Sequence, residues 1–240
     1  KRTMKRFLTA AVCVAIAILS VLPFAACGNK NSEETTIIKD LVLVKEEYGI
    51  AGRKEDKSLI SEINEALIAL SGTEMKTIAD KYGLTSEIAV TDKTENPLSG
   101  ARDEGFNKIK SSGKIIIGYT IYAPIAYTDE SGEFVGFDTE LAKAAVNYIN
   151  DKYKTDIKVE FQLIQWASKE TNLGDGTIDL IWNGLTITEE RKANMCISVP
   201  YLYNNQVAVI RKADENKYTS DISSFADAIT GAEKGSAGED

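Results

Sequence analysis

Residues 178–201 read IDLIWNGLTITEERKANMCISVPY, and the order of features in this stretch decides the fold class. Ile178, Leu180, Ile181 and Trp182 form a short apolar run of the kind that fills a strand buried on both faces of a parallel sheet. Asn183-Gly184 is a turn dipeptide and predicts that the strand stops there. Thr186 and Thr188 are both good helix N-caps, and Glu189 stands three residues after Thr186, the spacing of a capping box. The reading is strand, tight turn, helix start. In open α/β sheets ligands bind beyond the carboxyl ends of the strands, which is where residues 183–191 fall. Arg191 lies in the first turn of that helix, where the macrodipole favours an anion over a cation. An arginine beside free N–H groups makes a carboxylate or phosphate site. The alternative is that Arg191 pairs with Glu189, Glu190 or another acid and only solubilises the helix.

Outward from this stretch, strand and helix signals alternate. Residues 41–54 (LVLVKEEYGIAGRK) end in a strand, Ser58 is placed to cap the next helix, and Leu59, Ile63, Leu67 and Leu70 recur at helical spacing. Residues 73–82 make a second short helix. Residues 85–102 hold Pro97, Gly100 and many polar side chains and read as a linker; eighteen extended residues reach up to roughly 60 Å. A short helix at 106–109 and a strand at 114–119 (KIIIGY) come next, with Tyr122-Ala123-Pro124 in the loop beyond the strand. Residues 127–135 form a hairpin, Asp138 or Thr139 opens a helix, and residues 158–163 and 206–211 are further strands. This alternation predicts an α/β fold with a mostly parallel sheet flanked by helices.

Composition removes several chemistries. The 240 residues carry 28 basic and 36 acidic side chains, a net charge of −8, and no basic–aromatic cluster, so nucleic acid is not an expected partner. There is no histidine, which removes His-based general bases, Ser-His and Cys-His pairs and His metal sites. Neither GxGxxG nor a Walker A loop occurs, and no cofactor or metal is expected. Asp138 and Asp179 are the nearest acids to the strand ends, but one is placed to cap a helix and the other to precede a strand. The loops instead offer two aromatics, hydroxyls, backbone groups and one arginine, a set suited to a small amphiphilic anion or zwitterion.

The first residues read as a targeting segment. Lys1, Arg2, Lys5 and Arg6 precede an apolar run over 7–24, and Ala25-Ala26-Cys27-Gly28 follows. A single membrane-spanning anchor is the alternative. Small residues before a cysteine resemble a bacterial lipoprotein signal, with Phe24 where leucine is usual; cleavage would leave Cys27 lipidated, on a polar tether over 28–40. Cys13 would leave with the signal. Cys196 would remain as a lone, core-type cysteine between Met195 and Ile197.

The segments KIIIGYTIYAPIAYTDESGEFVGFDTELAKA, Trp166, IDLIWNGLTITEER and SVPY, in this order and spacing, resemble the solute-binding proteins of amino-acid ABC transporters. This is the polar amino-acid family, solute-binding protein family 3, with the two-lobed type II periplasmic-binding fold. The resemblance spans 106–212. It implies an extracytoplasmic, lipid-anchored receptor, not an enzyme, that hands an amino acid to an ABC permease. It also implies that Arg191 forms a bidentate pair with the ligand α-carboxylate. The Gly184 carbonyl and the Thr186 hydroxyl would meet the α-ammonium and carboxylate, and Tyr122 and Trp166 would sandwich the side chain. An acid often found before the first aromatic is absent, since Tyr119 and Thr120 stand there.

The segment order departs from that family. Residues 41–84 resemble the carboxyl-terminal piece of lobe 1 with its returning hinge strand, yet precede a linker at 85–105 and the amino-terminal piece of lobe 1 with its outgoing strand at 106–212. Residues 213–240 resemble the start of lobe 2, with Ser236 in a turn that would cap the ligand carboxylate. Lobe 1 is thus expected in permuted order, with residues 48–54 antiparallel to 206–212 and a half-site that binds weakly or undetectably. The other readings left open are a ligand-sensing domain of a larger fusion, a remnant of a tandem duplication, and a dehydratase on the same fold.

Overall fold

The computed structural model describes residues 34–239. The targeting segment and Cys27 lie outside the described residues. In chain order the elements are β1 (Thr35–Ile37), β2 (Val44–Arg53), α1 (Lys57–Leu70), α2 (Glu74–Lys81), α3 (Gly105–Ser112), β3 (Lys114–Tyr119), β4 (Tyr127–Thr128) and β5 (Phe134–Val135). Then come α4 (Phe137–Tyr153), β6 (Lys158–Leu163), α5 (Lys169–Gly174), β7 (Leu180–Thr186), α6 (Glu189–Asn194), β8 (Met195–Ile197), β9 (Leu202–Gln206) and β10 (Val209–Arg211).

The central sheet runs β6-β3-β7-β2-β8, with β9 also paired to β2. β3 pairs parallel with β6 and β7, while β2 is antiparallel to β7, β8 and β9. Five strands therefore point one way and β2 alone is reversed, which makes the fold the expected α/β class with mostly one strand direction. The period-2 alternation of each strand divides its side chains between two faces. Tyr48 and Ile50 of β2, Ile115 and Ile117 of β3, and Leu180 and Trp182 of β7 pack into the core that α1, α3 and α4 cover. Ala51, Ile181 and Leu185 face the second cluster, where Trp166 and Leu173 of the α5 region close over them.

Charge fixes the junction of β2 with β7. Arg53 donates to Asp179 Oδ1 at 2.9 Å, to Asp56 at 2.7 Å and to the Ile178 carbonyl at 2.9 Å, and Asp179 Oδ2 accepts from the Ile116 N–H. Asp179 is thus a strand anchor.

Four expectations change. β7 does not stop at Asn183-Gly184 but continues to Thr186; the register against β2 shifts between Gly49 and Ala51, and Gly184 takes φ +63° in the extra length. Ser58 lies inside α1, whose N-cap is Asp56, and its hydroxyl bonds Asp103. The linker is an ordered strap: Val90 is buried, Asn96 donates to the Ser61 carbonyl at 2.9 Å, and Ile88 bridges to Leu202. Finally, 48–54 does not pair with 206–212. Ile50 and Ala51 are fully buried, so this half of β2 goes between β7 and β8. The polar half, from Val44 to Tyr48, pairs antiparallel with β9, and β1, at the end of the expected tether, pairs with β10.

Candidate functional site

β3 and β6 end side by side because their parallel register aligns Tyr119 with Leu163, and β7, with Ile181 opposite Gly118, runs past them to Thr186. The three loops beyond them therefore converge. The loop after β3 carries the exposed Ile121 and Tyr122 and is closed by a Tyr122–Ala126 bridge around a cis Ala123–Pro124 bond. The loop after β6 turns into a short 3-10 segment at Trp166–Ser168, with the Trp166 ring buried. Asn183 of β7 is tied to the Thr120 hydroxyl at 2.8 Å, which joins the first loop to the third. Thr120, Ile121, Leu163, Gln165, Trp166 and Glu233 line a shallow depression of about 400 Å³ at this edge.

Arg191 reaches this edge from the first turn of α6. Thr188 caps α6 by accepting from the Arg191 N–H at 3.2 Å, which fixes the arginine in the first turn as the spacing predicts. The side chain is 7% exposed, and its neighbours are not the surface acids of its own helix. Nη1 donates to the Thr186 carbonyl at 2.7 Å and Nη2 to the Gly235 carbonyl at 3.2 Å. Lys169 Nζ donates to the same Gly235 oxygen at 2.9 Å and lies 4.9 Å over the Trp166 ring. Two cations thus converge on one oxygen of the 233–239 turn. Ser236 belongs to that turn, where its hydroxyl accepts from the Gly238 N–H at 3.2 Å.

Gly184 and Tyr122 meet beneath this edge. A Cβ on Gly184 would sit 3.1 Å from Tyr48 and 3.4 Å from Tyr122, so the missing side chain lets both rings close over the backbone. The Gly184 N–H donates to Asp138 Oδ2 at 2.9 Å, and the Tyr201 hydroxyl donates to the same oxygen at 2.8 Å. Asp138 is 1% exposed, and burial pushes its carboxyl up to about 7 against the pull of those two donors. Burial, then Tyr122, also holds the Tyr48 phenol well above its ordinary range.

The expected residues thus fall into two groups. Arg191, and Thr186 through it, meet the turn that holds Gly235 and Ser236, with Lys169 linking that turn to Trp166, while Tyr122 packs beside Gly184 of β7. Three participants were not legible as such: Lys169, Asp138 as a brace, and Glu46. Glu46, on β2, is 4% exposed and accepts from Thr186 Oγ1 at 2.8 Å, Asn204 Nδ2 at 2.6 Å and Gln206 Nε2 at 3.0 Å. The signal was available, because Glu46, Tyr48 and Ile50 share one strand face. Among the described residues no group of His, Cys, Asp and Glu is arranged to hold a metal ion. No helix among them is long and apolar enough to cross a membrane.

A family model described as bacterial extracellular solute-binding proteins, family 3, matches residues 115–235, a span that includes Tyr122, Trp166, Gly184, Thr186 and Arg191. The glutamine-binding protein of Geobacillus stearothermophilus is 30% identical over 165 residues, 67% of this chain and 60% of that protein. The L-cystine-binding protein of Escherichia coli K12 is 27% identical over 115 residues, 47% of this chain and 41% of that one. The chain therefore spans about two fifths to three fifths of the length of these curated relatives. Among solved structures, a Streptococcus pneumoniae ABC uptake transporter substrate-binding protein with bound histidine is 36% identical over 38% of this chain and 35% of that one, with a TM-score of 0.33.

Proposed function

The chain belongs to the bacterial extracellular solute-binding proteins of family 3, and from that premise we propose that it captures a free amino acid for an ABC importer, with Arg191 as the carboxylate anchor. The observation that carries this reading is the buried guanidinium at the carboxyl end of β7, turned onto an oxygen of another segment and away from its own helix's acids. A planar fork of donors fits a carboxylate in two bonds, which a lysine ammonium cannot copy. Thr186 and the Gly184 backbone frame the anchor, Trp166 and Tyr122 offer aromatic surface to a side chain, and Ser236 covers it. The named relatives that bind glutamine and cystine support an amino acid as the ligand class.

The site supports binding without turnover. The sequence has no histidine, and Asp138, the acid pushed toward neutrality, is sealed beneath Gly184. We further propose that residues 41–84 and 106–212 are the two pieces of one lobe in permuted order, and that 213–240 corresponds to the start of the second lobe. The 240 residues by themselves then carry one floor and one covering turn, and bind weakly. Cys27 is proposed as a lipid attachment point; metabolic labelling with an alkyne fatty acid, lost in Cys27→Ser, checks it.

Titration of the isotopically labelled 240-residue polypeptide with each common L-amino acid, followed by NMR, tests the ligand reading. The expected result is saturable millimolar binding of at least one amino acid, lost in Arg191→Lys. Absence of saturable shifts for every amino acid overturns the ligand reading. A micromolar or tighter constant overturns the half-site reading.

A further inference from the structure

Glu46 is a buried carboxylate held only by neutral donors. Its three partners are the Thr186 hydroxyl and the side-chain amides of Asn204 and Gln206, and among the described residues no lysine or arginine forms an ion pair with it. A carboxylate this far out of water is costly without a counter-charge, and neutral hydrogen bonds offset only part of that cost. Nothing in the strand pairing requires the charge. A glutamine at this position would also link β2 to β7 and β9.

The position of the charge is informative. Thr186 accepts from Arg191 Nη1 on its carbonyl oxygen, 2.7 Å, and donates from its hydroxyl to Glu46 Oε1, 2.8 Å. One residue thus separates a buried cation from a buried anion. The 233–239 turn reaches the cation directly and a partner of the anion: Gly235 places its carbonyl oxygen on Arg191 and Lys169, and Gln206 Oε1 lies 3.4 Å from the place of a Gly238 Cβ. The Gly235 oxygen sits where a ligand carboxylate oxygen would be drawn by the two cations. The other end of the covered floor is negative. A free amino acid carries its two charges on groups attached to one carbon, and a floor whose opposite charges are both hydrogen-bonded to one threonine offers a partner to each. A simple carboxylate would leave Glu46 with its neutral donors and no counter-charge.

We infer that Glu46 receives the α-ammonium group of the ligand, opposite the carboxylate held at Arg191. The inference rests on the amino-acid reading above and deepens it, since it restricts the ligand to one with a free α-amino group. Thr186 is the pivot that keeps the two charged groups at a fixed separation.

The test uses the 240-residue polypeptide with L-glutamine, L-histidine and L-cystine, and for each one that binds, its desamino analogue: glutaramate, imidazolepropionate or dithiodipropionate. Affinities are read by NMR titration for the wild type and for Glu46→Gln, and thermal melts establish that the variant is folded. The wild type is expected to bind the amino acid about tenfold or more tightly than the analogue, a charge-assisted hydrogen bond being the difference. Glu46→Gln is expected to weaken amino-acid binding by a similar factor and leave the analogue unchanged. Equal loss of both ligands assigns Glu46 a purely structural role and overturns the inference, as does unaltered binding of the amino acid. If the variant does not fold, the wild type decides alone: equal affinity for the amino acid and its analogue overturns the inference. Failure of the wild type to bind any amino acid is the separate outcome in which the amino-acid reading itself falls, and the inference with it.

Discussion

The carboxylate of Asp138, at the start of α4, accepts the backbone N–H of Gly184 in β7 at 2.9 Å, and so ties the helix to the strand that carries the site. Both donors it receives go to one oxygen, Oδ2, while Oδ1 is buried without a hydrogen-bond partner. Asparagine can keep the accepting oxygen in place without the charge. Burial pushes the Asp138 carboxyl up to about 7 from an unfolded value of 3.8. Between those values the native state holds a proton that the unfolded chain has released. This group therefore makes stability fall as pH rises from about 4 to about 7, and adds no slope beyond. Asp138→Asn is expected to remove that slope, so that the variant gains at least about 1 kcal/mol on the wild type between pH 5 and pH 8. Urea denaturation at the two pH values measures it; parallel behaviour of the two proteins would refute the brace.

The loop that presents Tyr122 is held by a different device. Gly136 takes φ +132°, and a Cβ there would lie 2.3 Å from the Ile125 carbonyl oxygen and 2.8 Å from Ala126 Cα. Gly132, at the hairpin tip, also has positive φ, +88°, but has open space around it. Alanine at 132 meets only the backbone penalty, about 1 kcal/mol. Alanine at 136 must also push the 122–126 bridge away, and is expected to cost more than about 2 kcal/mol and to weaken ligand binding. Equal effects of the two substitutions in denaturation experiments would show that the loop yields without strain.

Asp103 closes the strap between the two halves of the chain. It accepts from the Ser58 N–H at 2.8 Å and the Ser58 hydroxyl at 2.7 Å, and the Ser58 hydroxyl in turn accepts from the Phe106 N–H at 3.0 Å. Burial pulls the Asp103 carboxyl upward, but these bonds and the Gly105 N–H outweigh it and hold the group below its ordinary value of 3.8. Its contribution is present above that value and lost as pH falls through the lower folded one. Asp103→Ala is expected to cost about 2–3 kcal/mol at pH 7. A loose linker would tolerate the change within about 0.5 kcal/mol.

How far the sequence carried the fold follows from which forces have a local signature. The apolar period of α1 and the run in β7 are local, and Leu59, Ile63, Leu67 and Leu180 are buried as their spacing requires. Thr188 and Arg191 kept their places because a helix cap is also local. The order of the strap at 85–105 has no local signature because it comes from distant partners such as Ser61 and Leu202. The register of β2 was misplaced for the same reason, as strand pairing is chosen by which half must be buried. Glu46 is a lone acid at a strand start, and only the face it shares with Tyr48 and Ile50 marks it in the sequence as buried.

Cys196 provides a probe of that register. It lies opposite Gly52 in the β2–β8 pairing and is 8% exposed, and burial pushes its thiol up to about 11. At pH 8 the thiolate is then roughly a thousandth of the population, against about a quarter for an unperturbed thiol. Alkylation of Cys196 in the folded protein is therefore expected to run at least about a hundredfold slower than in urea. Cys13 and Cys27 are also in the sequence, so peptide-resolved mass spectrometry must follow the 196 peptide itself. The comparison also reads the docking of β2. Opening of β8 from β2 returns the thiol to its ordinary range, so any loosening of that pairing raises the rate. Glycine 52 has Ile60 of α1 only 3.1 Å from the place of a Cβ, so Gly52→Val should loosen the pairing and raise the Cys196 rate. Fast alkylation of the wild type at the unfolded rate would mean that β2 is not held beside β8 in solution.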